Sequence, residues 1–339
     1  MSRTALSLAL TLALAGAGAG CGSSGTSPAH HAAHPRRKAS TTATATATAP
    51  VPPVKLSYQP LYDLAAPLQD PASADLGGGR FALLGGLDAA DTSTAEVIVG
   101  DAHSARNAAT LPGAQHDAQA AALNGIVYVF GGGNFSQYDH ILKFDPTSDT
   151  IGAAGTLPTA ASDVAVTENA GTAYIVGGFD GSVPLDTIVA WSPGSPARVV
   201  GHLPQPVRYA AVCAVDGKVL IIGGSTPAGA SAAILSFDPA TASVRQIGHL
   251  PHPVTHAGAA TLGTTVYLVG GRGDLLTGQS AQIWAIDAST GAVHLAGHLP
   301  QPLSDAAVLT TGNAILVAGG RSTTATQAGV GELVPASAG

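Results

Sequence analysis

Charge is scarce in this 339-residue chain: 10% of its residues are Asp, Glu, Lys or Arg, while 45% are hydrophobic. Aromatic residues make up 4%, and there are two tryptophans, one methionine and two cysteines. Two cysteines exclude a disulfide framework, and Cys213, alone in an apolar run, reads as a small buried hydrophobe rather than a reactive thiol. Basic residues are scarcest where they would matter most. All 21 acidic residues but only 10 of the 14 basic ones lie from Lys55 onward, leaving that region at about −11. Nucleic acid and anionic lipid are therefore poor partners for it. No nucleotide-binding glycine fingerprint, nucleophile elbow or paired metal-ligand motif occurs, so neither a cofactor nor a metal is expected. What the chain has in quantity is glycine, 43 residues, and proline, 23, which suits a turn-rich all-β protein.

The N-terminus has its own character. Arg3 precedes the apolar run Ala5 to Ala15, and the small residues Gly16 to Gly20 lead to Cys21. A run this short, so flanked, predicts a signal peptide over residues 1–20 rather than a membrane span. It resembles a bacterial lipoprotein signal, which implies lipidation at Cys21; Ala19 and Gly20 match that pattern, whereas Gly18 stands where a branched residue is usual. The expected location is the outer surface of the cell membrane by a lipid anchor, or secretion after cleavage elsewhere in the Ala/Gly run. Residues 21–54 are rich in Ser, Thr, Ala and Pro, cannot supply a core, and read as a disordered tether. Its root-mean-square reach is roughly 30 Å. His30, His31 and His34 fall within it without a supporting carboxylate or cysteine and are read as incidental.

From there to the C-terminus the chain repeats. Gly-Gly recurs at Gly85, Gly131, Gly177, Gly223, Gly270 and Gly319, at spacings of 46, 46, 46, 47 and 49 residues. In phase with it, Leu-Pro at Leu111, Leu157, Leu203, Leu250 and Leu299 stands 20 residues before the next Gly-Gly. Such periods mark an array of supersecondary units. In the unit that begins at Leu203, four short strands follow one another, separated by turn residues: Ala210 to Val215, Lys218 to Ile222, Ala233 to Phe237 and Val244 to Ile247. That is the make-up of a propeller blade. The first strand is rich in alanine, as the crowded innermost strand should be, and the second is apolar on both faces because neighbours cover both.

An apolar strand closed by Gly-Gly, followed by an aromatic-Asp-Pro strand end at Phe144-Asp145-Pro146 and Phe237-Asp238-Pro239, resembles the kelch repeat. Trp191-Ser192-Pro193 and Ile286-Asp287-Ala288 are weaker copies, and aliphatics such as Val200 and Ile247 stand where the fourth strand commonly carries tryptophan. The resemblance implies a six-bladed kelch-like β-propeller over residues 55–339. After Gly319-Gly320 only one strand, Val330 to Val334, remains, while Leu61 to Leu64 looks like an orphan fourth strand. The N-terminal strand is therefore expected to complete the last blade and close the ring.

In this topology the loops after Leu-Pro and after Gly-Gly emerge on one face. Six residues beyond each leucine stand Asp117, Asp163, Tyr209, His256 and Asp305, preceded in two units by His116 and Arg208. The Gly-Gly loops add Phe135, Tyr138, Phe179, Asp180, Arg272, Asp274 and Arg321. Mixed charge with aromatics suits a protein, peptide or glycan ligand. Arg208, Tyr209 and His256 break the repetition; the aspartates, at a repeated position, are open to a purely structural role in their own loops. His202, His249 and His298 occupy equivalent places in successive units, and so fan apart rather than converge on a metal. Arg272-Gly273-Asp274 is read only as an exposed charged loop. The expectation is a monomeric, lipid-anchored binding module, with a sugar epimerase or oxidase-like enzyme, His256 and an aspartate serving as acid and base, as the alternative.

Overall fold

The computed structural model describes residues 54–336, within the second of two units, Val51–Gly339. The expected signal peptide, Cys21, and all but the end of the expected tether lie outside the described residues. Among the described residues every regular element is a β-strand.

The strands form antiparallel meanders in which chain order is spatial order. The first sheet holds β2 (Ala72–Gly77), β3 (Arg80–Leu84), β4 (Thr94–Gly100), β5 (Ala105–Leu123), β6 (Ile126–Gly133), β7 (His140–Asp145) and β8 (Thr150–Thr156). It is two four-stranded meanders that share β5. The next holds β9 (Ala165–Asn169), β10 (Thr172–Val176), β11 (Thr187–Trp191) and β12 (Arg198–His202). Then come β13 (Ala211–Val215), β14 (Lys218–Ile222), β16 (Gly229–Asp238) and β17 (Ser243–Val254), with the short β15 (Ser225–Thr226) folded against β16. A further sheet consists of β18 (Gly258–Leu262), β19 (Thr265–Val269), β20 (Gln282–Asp287) and β21 (Val293–His298). In the last, β22 (Ala307–Thr311), β23 (Ala314–Ala318) and β24 (Gly329–Pro335) are completed by β1 (Leu56–Asp63) from the other end of the chain.

The pairing of β1 with β24 runs from Leu56 opposite Pro335 to Asp63 opposite Gly329. The strand begins five residues before the expected Leu61. Two strands also run on where a break is expected. In β5 and β17 the chain passes through Leu-Pro without leaving the ladder, because a bulge absorbs it: residues 111–114 face Ala95 between the pairs Glu96–Thr110 and Thr94–Gln115. Residues 250–253 do the same opposite Ala232. A bulge is where a strand tolerates a residue without an N–H.

Burial follows the sheet faces. The second strand of each meander is covered on both sides: Phe81 to Leu84, Val219 to Ile222 and Ile315 to Ala318 are all buried. Core clusters form between successive sheets, and Phe144 and Phe237 of the Asp-Pro strand ends are fully enclosed in them. One cluster joins the ends of the chain, packing Phe81 and Leu83 of β3 against Leu309, Leu316 and Val330 of the last sheet. The innermost strands touch in the order β2, β5, β9, β13, β18, β22, and β22 also touches β2.

Gly-Gly explains how the sheets hold their neighbours. The first glycine of each doublet has φ of 60–65° and the second 86–110°, conformations that L side chains rarely adopt. A Cβ on the first would strike a carbonyl of the following repeat, and the N–H of the second donates to that carbonyl. Thus Gly132 donates to Ala161 O at 2.9 Å, Gly178 to Val207 O at 2.9 Å and Gly320 to Leu68 O at 2.8 Å. The last of these reaches from the final repeat to the start of the first.

A chain truncated to begin at Val54 is expected to melt as the full chain does, whereas one beginning at Ala66 loses β1, exposes the β24 edge and should unfold or aggregate. Equal thermal midpoints for the two would contradict the role given to β1.

Candidate functional site

Six residues at equivalent positions line one mouth of a central cavity of about 470 Å³: Asp70, Asp117, Asp163, Tyr209, His256 and Asp305. All six have left-handed backbones, with φ between 51° and 58°. The turn they make aims each N–H at the preceding member. Asp163 donates to Asp117 O at 2.8 Å, Tyr209 to Asp163 O at 3.1 Å, His256 to Tyr209 O at 3.2 Å and Asp305 to His256 O at 3.0 Å. Asp70 then donates to Asp305 O at 2.7 Å, and the N–H of Asp117 donates to Asp70 Oδ2 at 3.0 Å. The circuit returns to its start.

The residue before each member bridges to the Gly-Gly loop of its own repeat, as in Ser162–Phe179, Arg208–Ser225, Thr255–Arg272 and Ser304–Arg321. This places the two loop types side by side on one face. Asp70 and its neighbour Gln69 were not singled out from the sequence. Their signal is Leu64, which stands six residues before Asp70 as Leu157 does before Asp163, but is followed by alanine instead of proline.

Crowded carboxyl groups set the electrostatics. Burial and the adjacent Asp117 hold the Asp70 carboxyl well above the usual carboxylate range. Asp163 is pushed up to about 7 by burial and Asp117, although Arg208 pairs with it directly and pulls the other way. Burial likewise lifts Asp305 to about 6. For Asp117 burial acts upward too, but hydrogen bonds from Asp70 and Asp163 and the nearby His116 outweigh it and leave it below the ordinary value. Asp117 is thus the ionised hub. It also accepts the Tyr209 hydroxyl at 3.3 Å and lies 3.4 Å from His116 Nε2.

Tyr209 stacks on His256 with ring centroids 3.8 Å apart. Arg272 donates from Nη2 to His256 Nε2 at 2.9 Å, so the imidazole proton is on Nδ1, which donates to Thr255 Oγ1 at 3.0 Å. Burial, with the Arg272 charge beside it, drives His256 down to about 3. It is neutral, and its lone pair is taken. Arg208 lies over the Phe179 ring, 4.3 Å from its centroid. Arg321 reaches Asp91 at 2.8 Å and Gln69 at 3.5 Å on the same rim.

The ring therefore brings together His116, Asp117, Asp163, Arg208, Tyr209, His256, Arg272 and Asp305, with Phe179 and Arg321 at its margin. The remaining sequence-selected residues stand apart from it. Asp180 Oδ1 accepts from the N–H groups of Ser182 and Val183 and shapes its own loop. Asp274 accepts from Ala230 N at 2.6 Å, tying its loop to the neighbouring hairpin. Tyr138 packs on His140, and Phe135 stands fully in solvent at 101% exposure. Val183, Leu275 and Leu276, also exposed on Gly-Gly loops, were not picked out from the sequence. Among the described residues no group of three or more His, Cys, Asp or Glu side chains is arranged to hold a metal ion.

The raised carboxyls give a pH dependence of defined sign. Asp305 and Asp163 contribute stability in their protonated forms, present below the ordinary carboxylate value and lost as pH rises through about 6 and about 7 respectively. His256, held down to about 3, acts oppositely, its contribution being present above the ordinary histidine value and lost as pH falls. In the window between about pH 6 and 7.5 the two carboxyls outweigh the single histidine, because the native state still holds part of their protons there while the unfolded state holds none. The thermal midpoint should fall across it, and D163N should flatten the fall; a midpoint that rises would contradict the assignment.

No protein-family model matches the chain. A 140-residue stretch, 40% of this chain, is 33% identical to Kelch-like protein 35 of Mus musculus, and it spans 24% of that protein, about a quarter of its length. The solved structure of YjhT is similar with a TM-score of 0.69 at 17% identity, over 79% of this chain and 95% of that one. With the antiparallel meanders and the Gly-Gly clasps, these likenesses support a kelch-type β-propeller as the fold of the chain.

Proposed function

We propose that the protein is an exported, lipid-anchored kelch-type propeller of six blades, closed by β1, that serves as a binding module for a protein, peptide or glycan through its loop face. The six-blade reading is supported by the circuit of ring hydrogen bonds, and closure by the β1–β24 ladder and by the clasp of Gly320 on Leu68 O. A kelch-type fold supports a protein-binding role in particular.

One observation carries the choice of face. Large apolar side chains exposed on the Gly-Gly loops are Phe135 at 101%, Leu275 at 72%, Leu276 at 70% and Val183 at 55%, spread over three repeats. Apolar tips around a polar, charged mouth are what a recognition surface needs and what solubility alone disfavours. The enzymatic alternative pairs His256 with an aspartate as acid and base; Asp163, pushed up to about 7, suits an acid, but His256, driven down to about 3 with its Nε2 occupied by Arg272, does not favour the pairing.

Peptide and glycan arrays probed with the propeller should give hits that weaken about tenfold, some 1.4 kcal/mol, in the triple variant F135S/L275S/L276S, with the melting temperature unchanged. Hits indifferent to that variant but lost on substitution of Asp216 or Asp287 in the opposite turns would place the binding surface on the wrong side. Mass spectrometry of the native protein should find a diacylated or triacylated Cys21; a soluble product beginning elsewhere would refute the anchor.

A further inference from the structure

The repeat is broken at one core position. The residues paired with Leu83, Val129, Ile175, Ile221 and Leu268 in the second strands are Ile98, Leu142, Val189, Leu235 and Trp284. The equivalent partner of Val317 is Gly331. Tyr58 of β1 lies over that glycine, so closely that a Cβ there would strike its ring. The phenol fills part of the space a branched side chain takes elsewhere. Beside it remains a cleft of about 310 Å³ between the end of β21 and the last sheet.

Its lining is rich in acceptors. Asp63 lines the cleft and has no ion pair or side-chain hydrogen bond among the described residues. Gln301 donates from Nε2 to Gln327 Oε1 at 2.9 Å, which leaves its own Oε1 without a donor among the described residues. Gln327 is saturated, since its Nε2 donates to Ala325 O at 2.8 Å and Ser322 Oγ at 3.1 Å. Thr326, 8% exposed, has a buried hydroxyl with no partner. A buried hydroxyl left unpaired costs about 1–3 kcal/mol. No Lys, Arg or His lines the cleft, and its apolar part is Leu299, Leu303 and Val317.

We propose that this cleft is a second ligand site, for a primary alkylammonium group. An ammonium brings three donors and a positive charge to a lining that offers a carboxylate, an amide oxygen and a hydroxyl. Its alkyl chain finds the apolar floor, and the Tyr58 ring favours a cation beside it. This site lies at the loop-face end of the sheets, between the Leu299-Pro300 and Gly319-Gly320 segments, but it includes neither the ring residues nor Phe135, Leu275 and Leu276, and so does not rest on the function proposed for that face. A free amine and a lysine side chain of a partner share this chemistry.

Titration calorimetry on the full-length protein distinguishes them, with n-pentylamine, N-acetyl-lysine methylamide and, as the uncharged control, n-pentanol. Pentylamine should bind with one-to-one stoichiometry below about 10 mM, and pentanol should not. D63N, at an exposed position, should weaken binding about tenfold or more. T326V should weaken it as well while leaving the melting temperature unchanged or higher, because the hydroxyl it removes has no partner in the free protein. If the lysine analogue competes with pentylamine, the site accepts a lysine side chain; if it does not, the ligand is a free amine. The loop-face variant F135S/L275S/L276S should bind pentylamine as the wild type does. Absence of binding up to about 10 mM, equal binding of pentanol, or binding indifferent to D63N would each overturn the proposal.

Discussion

One amide hydrogen bond per repeat, running from each ring residue to the one before it, is the contact on which the rest of the structure depends. It is made only if the donor residue takes a left-handed backbone, which costs a typical L-residue about 1–2 kcal/mol. Aspartate is among the few residues that visit this conformation readily, and it occupies four of the six positions. The carboxylate crowding at the channel mouth is thus first a consequence of backbone geometry. Its electrostatic cost is then limited in two ways. Protons are retained on Asp70 and, near neutral pH, in part on Asp163, and Tyr209 and His256 replace two further charges with a stacked pair. Arg208 and Arg272 stand beside that pair, so the positions that break the repetition are also those where positive charge enters the ring.

The same backbone demand explains why the array was so legible. Gly-Gly marks a left-handed doublet under a neighbouring carbonyl, and Leu-Pro marks the segment that supplies this carbonyl, so their fixed spacing records a contact between repeats as well as a strand. Where the markers are complete, strand order and the ring positions follow from the sequence. Where one is missing, the position carries no mark: Leu64 lacks its proline, and nothing in the repeat pattern points to Asp70 six residues on. Other features leave no periodic trace. The bulges that carry β5 and β17 through Leu-Pro depend on pairing register, and exposure of Val183, Leu275 and Leu276 depends on loop conformation. Of the residues chosen for the site, those fixed by the turn came together, whereas Asp180 and Asp274, chosen by loop membership, serve local backbone groups.

Two surfaces with different chemistry result. The ring and the loop tips combine a charged, proton-sharing mouth with apolar side chains on long loops, while the cleft beside β1 joins Asp63 and an unpaired Thr326 hydroxyl to an apolar floor. Both depend on β1, which carries Tyr58 and Asp63 and joins the two ends of the chain.

Closure of the hydrogen-bond circuit across those two ends is tested most directly by native-state hydrogen exchange at the ring amides. If the circuit is closed, the amide of Asp70, which bonds to Asp305 O across the junction, should be as protected as those of Asp163 and Tyr209 within the array and should exchange only with global unfolding. Exchange of the Asp70 amide through a local opening, orders of magnitude faster than the other two, would contradict it.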